Sequence, residues 1–228
     1  MVKVKICGLS RPCDMDAVNA ETPDFVGFVF AESRRRVTPQ QARELRARLC
    51  AGIVPVGVFV DEAPETVASL VREGIIDIVQ LHGAEDERYI EVLKSLTDAP
   101  VIKAVGVRSA DDVQKWMASA ADYLLLDNAS GGSGETFDWS LVISDQLSVI
   151  RSEPSARHLR REAPPLINDQ RSLITHFFLA GGLNADNVTR AIETVKPFAV
   201  DASSGVETDG FKDPAKIKEF IRRARNVK

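Results

Sequence analysis

Cys7 and Asp127 each stand directly after an apolar, strand-like run, VKVKI and YLLL. Titratable groups carried to the end of a strand are candidates for chemistry, but each also has a plain reading. Cys7 is open between a reactive thiol and a small buried hydrophobe, whereas Cys13 and Cys50 fall in helical segments and take the second reading. Asp127 is open between a turn aspartate ahead of Asn128 and an acid that its approach through Leu124, Leu125 and Leu126 would raise in pKa and keep protonated. Two further stretches, AGGLN and DASSG, point to an anion. Their small residues Gly181, Gly182 and Gly205 let backbone N–H groups approach closely, and Ser203 and Ser204 add hydroxyl donors. With Asn184, this is what a phosphate monoester needs. One such loop would be ordinary turn chemistry; two in adjacent units favour phosphate.

The elements that must position these groups follow one rhythm. An alternating, β-branched run opens the chain, and seven further apolar runs follow it. They cover 24–30, 53–60, 76–81, 101–105, 123–126, 177–180 and 198–201. Helix-like segments intervene at 12–20, 39–49, 64–73, 85–96, 109–118, 184–195 and 213–225, several opening with proline or a capping residue. A glycine-rich loop, Ser130 to Gly134, precedes another helix start at Asp138 and Trp139. Near-continuous hydrophobicity in every strand means parallel strands covered by helices. The expected fold is therefore α/β, a single-domain eight-stranded parallel (βα)8 TIM barrel over residues 1–228. An open doubly wound sheet would show a G-x-G-x-x-G after its first strand, and KICGLS has none. The stretch 144–176 breaks the rhythm with Pro154, Pro164 and Pro165, and reads as a longer irregular surface insertion between strands 6 and 7. In such barrels the active site forms at the carboxyl ends of the strands, which gathers Cys7, the loop to Arg36, His82, Asp127, Gly181 to Asn184, and Asp201 to Gly205.

Composition narrows the class. Hydrophobic residues at 44% can fill a sizeable core, and a formal charge of −4 argues against binding nucleic acid. The basic cluster Arg34, Arg35 and Arg36 lacks interleaved aromatics and suits a single anion at most. Three cysteines without a pairing pattern imply a reducing compartment, the cytoplasm. His82, His158 and His176 are scattered, so neither metal-ligand spacing nor a cofactor motif is found. No apolar run reaches membrane-span length, and a monomer is the default.

In order along the chain, KICG, GFVF, S-x-R-x-V-x-P, GVFV, QLHG, LLLD, GGSG-x-TFDW, AGGLN and VDASSGVE resemble the phosphoribosylanthranilate isomerases of tryptophan biosynthesis. The resemblance covers residues 2–142 and 177–228. It implies an Amadori rearrangement of N-(5-phosphoribosyl)anthranilate, a phosphorylated aminosugar, to 1-(2-carboxyphenylamino)-1-deoxyribulose 5-phosphate without a cofactor. The family's base and acid then fall on Cys7 and Asp127. The motif arginine falls on Arg35, facing the anthranilate carboxylate, although the flanking Arg34 and Arg36 depart from the family pattern. His82 and Asp201 become substrate-side candidates, with a structural role equally open for His82. Two rivals remain. The related aminoaldose isomerase of histidine biosynthesis would carry aspartates after strands 1 and 5, where this chain has Cys7 and Val105-Gly106. A non-catalytic sugar-phosphate-binding barrel would bind without turnover.

Overall fold

The protein is described from a computed structural model, over residues 1–129, 136–142 and 176–227. Its eight strands are β1 (Lys3–Cys7), β2 (Phe25–Val29), β3 (Val54–Phe59), β4 (Ile78–Leu81), β5 (Val101–Val107), β6 (Tyr123–Asn128), β7 (Phe177–Leu179) and β8 (Ala199–Ala202). They pair in chain order, all parallel, and β8 returns to β1, closing the barrel. Helices α1 (Pro12–Glu21), α2 (Pro39–Arg46), α3 (Pro64–Arg72), α4 (Glu87–Leu96), α5 (Ala110–Gln114), α6 (Val188–Val195) and α7 (Pro214–Arg225) complete the βα pattern. None of the described helices is long and apolar enough to cross a membrane.

Local chemistry fixes the helix starts. Proline occupies the first turn of α1, α2, α3 and α7, where a missing N–H costs nothing. Thr38, Asp86 and Asp213 accept backbone N–H groups as caps. Asp14 takes the N–H groups of both Ser10 and Arg11 at 2.9 Å, which secures the turn just after Cys7.

Strand alternation divides the hydrophobic residues into two cores. Val4, Ile6, Val26 and Phe28 face outward to the helices. Phe25, Val56, Ile102, Leu125 and Phe178 point inward and form an apolar floor inside the barrel. Above that floor several inward positions are polar or small, among them Cys7, Gly27, Gln80, Gly106, Asp127 and Asp201.

Several bounds differ from the sequence reading. β6 runs on through Asp127 and Asn128, which pair with Gly106 and Val107. α5 stops at Gln114 because the N–H groups of Trp116 and Met117 bond three residues back, tightening the chain into turns. The helix expected at Asp138 is a single 3₁₀ turn, Trp139–Val142. α6 starts at Val188, since the Asn184 and Asn187 side chains accept local N–H groups and hold 184–187 in turns. A short hairpin not foreseen from sequence, β9 (Glu207–Thr208) with β10 (Phe211–Lys212), follows β8. The stretch 144–176 falls between β6 and β7; only His176 of it, and none of Ser130 to Gly134, lies within the described residues.

Candidate active site

Cys7 ends β1, and its side chain shares the inward face with Lys3 and Lys5. The thiol lies over β2, opposite Gly27 in the strand register. A Cβ added at Gly27 would stand 2.6 Å from Cys7 Sγ, so the glycine clears the space that the sulfur occupies. Beneath it Lys5 is wholly buried, with Nζ 3.0 Å from Asp201 Oδ2. Burial pushes the Cys7 thiol up in pKa; the Lys5 ammonium opposes this, Asp201 adds to it, and Lys212 opposes it again. Gly27→Ala is expected to displace the sulfur and lower kcat roughly 10- to 100-fold in a folded barrel, measured as turnover beside a thermal melt.

Asp127 projects inward from β6 with a half-buried carboxyl. Its Oδ1 accepts the Asn128 N–H at 2.7 Å, and Oδ2 lies 3.4 Å from His82 Nε2. Gln80 Nε2 lies 2.9 Å from His82 Nδ1, and this contact holds the ring with Nε2 toward Asp127. The apolar enclosure expected from the leucine run is not what surrounds this carboxyl. Leu124 and Leu126 face the helices, and Leu125 alone shares the inward face. Gly181 adjoins the same place: a Cβ there would stand 3.1 Å from Asp127 Oδ1.

The three arginines separate by packing. Arg36 is exposed and pairs with Glu32, and Arg34 is more than half exposed. Arg35 crosses Gly8, whose missing Cβ makes room for its Cδ. It donates through Nε and Nη2 to the two carboxylate oxygens of Glu207, at 2.7 and 3.0 Å. Glu207 also accepts from Arg34 at 2.6 Å and from Lys212 at 2.7 Å. Burial disfavours its ionisation, yet Arg35 and Lys212 outweigh that and hold the carboxyl below the usual range.

The sequence matches the N-(5'phosphoribosyl)anthranilate (PRA) isomerase family over residues 4–157 and 163–223. N-(5'-phosphoribosyl)anthranilate isomerases from Clostridium acetobutylicum and Clostridium kluyveri are 43% and 42% identical, each over the whole of both chains. The chain belongs to this isomerase family. It is therefore an enzyme. Among solved structures, the phosphoribosyl anthranilate isomerase of Thermus thermophilus covers both chains fully with 30% identity and a TM-score of 0.80. Another, crystallised with reduced 1-(o-carboxyphenylamino)-1-deoxyribulose 5-phosphate, does so with 34% identity and a TM-score of 0.77.

The two glycine-bearing loops lie side by side at the same end of this isomerase barrel. Gly181 and Gly182 hold φ of +80° and +62°, a left-handed region that favours glycine. Gly205 is packed so closely on the Leu183 carbonyl that no side chain would fit. Among the described residues, the backbone N–H groups of Gly182, Ser204 and Gly205 meet no backbone acceptor. Ser203 Oγ donates to the Cys7 carbonyl at 3.1 Å, tying this loop to the thiol's strand. Asn184 bonds within its own turn, and Asp201 faces inward onto Lys5.

The sequence reading missed Lys5, Gly27, Glu207 and Lys212. Gly27 carried the one available signal, a glycine inside an otherwise large apolar strand, which marks a close approach.

Proposed function

We propose that the chain catalyses the Amadori rearrangement of N-(5-phosphoribosyl)anthranilate, with Asp127 as general acid and Cys7 as general base. Asp127 protonates the furanose ring oxygen as its bond to C1 breaks, leaving a Schiff base between C1 and nitrogen. Cys7 then removes the C2 proton; the C2–H pair becomes a C1–C2 double bond, and the C=N pair returns to nitrogen. The enolamine tautomerises, with a proton added at C1 and the C2 hydroxyl becoming the ketone. C2 is oxidised as C1 is reduced, so no external oxidant enters.

The observation that carries this reading is the polar layer above the apolar floor. It sets a thiol flanked by ammonium groups on β1 and a carboxyl on β6, three strands apart around the barrel. The unclaimed N–H groups of Gly182, Ser204 and Gly205 support phosphate binding there, with Gly181, Ser203 and Asn184 shaping the loops. Arg35 has Nη1 left for a carboxylate after Glu207 takes Nε and Nη2, which supports its role toward the anthranilate ring. His82 and Asp201 act through Asp127 and Lys5 respectively. The barrel of one chain supplies all these residues, which supports a site complete within a monomer, and the formal charge of −4 supports a function without nucleic acid. Gly106 ends the inward face of β5 where the histidine-pathway isomerase would need an aspartate.

Wild-type protein is expected to convert phosphoribosylanthranilate, made in situ from anthranilate and phosphoribosyl pyrophosphate. Binding without turnover would overturn the enzymatic assignment. Arg35→Met is expected to raise KM about 10- to 100-fold with a smaller effect on kcat, because it removes a charged hydrogen-bond partner of the substrate.

A further inference from the structure

Lys5 sits where a lysine is costly. It is fully buried inside the barrel, one strand position below the base, and an unpaired ammonium there would shed its proton. Asp201, opposite it in the β1–β8 register, supplies one partner through Oδ2. Among the described residues, Asp201 Oδ1 has no hydrogen-bond partner. The cation therefore has one carboxylate oxygen as its partner, and Cys7 stands two residues along the same inward face of β1.

The charges around the sulfur can be counted. Facing it are Lys5 from β1, Asp201 from β8, Lys212 from β10 and Arg35 from the loop before α2. Glu207 binds both Arg35 and Lys212. β2 contributes only Gly27. With Arg34 also on Glu207, cations outnumber the two carboxylates while Cys7 is a thiol, and a thiolate offsets part of that excess.

We propose that Lys5 is a positioning residue for the base, its buried ammonium stabilising the Cys7 thiolate, and that Asp201 restrains this by sharing the same cation. This rests on Cys7 being the base, but its test does not need turnover. The Cys7 thiolate is titrated by ultraviolet absorbance, and its alkylation by iodoacetamide is timed, in the full chain with the exposed Cys13 and Cys50 changed to serine. Lys5→Met should leave at least about tenfold less thiolate at neutral pH and slow alkylation equally. Asp201→Asn, which keeps the cation and removes its competitor, should shift the titration the opposite way and speed alkylation.

Opposite shifts are something a merely structural role would not produce. An unchanged Cys7 titration in folded Lys5→Met overturns the proposal. Should Lys5→Met not fold, Asp201→Asn decides alone: an easier ionisation of Cys7 supports the proposal, and an unchanged or harder one overturns it. Full turnover in Cys7→Ser would instead overturn the base assignment, whatever the thiol titration shows.

Discussion

Cys7→Ser is expected to lose roughly 10²- to 10⁴-fold in kcat while KM changes only a few-fold. The substitution keeps the size of the side chain above Gly27 nearly unchanged, so the barrel should melt close to the wild-type temperature. What it removes is an ionisable group. A hydroxyl remains protonated at any pH the fold survives, and the Lys5 and Lys212 ammonium groups cannot extract its proton. The pH profile adds a signature. Burial raises the thiol above its ordinary value, so the fraction present as thiolate grows steadily through neutrality. Wild-type kcat/KM should climb over that interval, and the climb should vanish in Cys7→Ser. Steady-state kinetics across about pH 6 to 9 would show it. Near-normal turnover of the serine variant would assign the C2 proton to another group.

The barrel was legible because its signal is local and redundant. Eight apolar runs, most of them ended by turn chemistry, admit few closures, and the structure adjusts bounds without adding or losing a barrel strand. The hairpin Glu207–Lys212 was invisible because strands of two residues carry no periodicity. Within the site, Cys7, His82 and Asp127 were readable as the polar residues that end apolar runs. Lys5 was not, since a lysine alternating with Val4 and Ile6 in sequence looks like the solvent face of a half-buried strand. Only barrel closure reverses that reading: β8 arrives 196 residues later and sets Asp201 beside it. Glu207, inside VETDG, likewise reads as turn polarity until the fold brings Arg34, Arg35 and Lys212 around one carboxylate. Long-range electrostatic partnerships leave no trace in spacing.

Those partnerships also explain why Arg35 is the most buried of the three arginines. Sequence offers three identical side chains in a row, and composition cannot rank them. The choice is made by Gly8, whose bare Cα lets Arg35 lie across the end of β1, and by Glu207, which fixes the guanidinium through two parallel bonds. Gly8 therefore makes room for Arg35 as Gly27 does for the Cys7 sulfur.

Asp127→Asn is the counterpart experiment, with an expected loss of about 10²- to 10⁴-fold in kcat and little change in phosphate or carboxylate binding. The amide can still meet the Asn128 N–H through its oxygen, so the local backbone should hold. It has no proton to give a ring oxygen, and ring opening precedes every later step. kcat and kcat/KM should consequently fall together, the pattern of an interaction made in the transition state and absent from the ground state. His82 is tied to the same carboxyl: Gln80 lies 2.9 Å from its Nδ1, and its Nε2 lies 3.4 Å from Asp127 Oδ2. Thiol titration supplies the control: Cys7 in Asp127→Asn should ionise close to wild type, because Asp127 stands on β6, three strands around the barrel from β1. An Asp127→Asn enzyme with normal turnover would move the acid elsewhere. One with lost turnover and an altered Cys7 titration would show that the two ends of the site share a single charge balance.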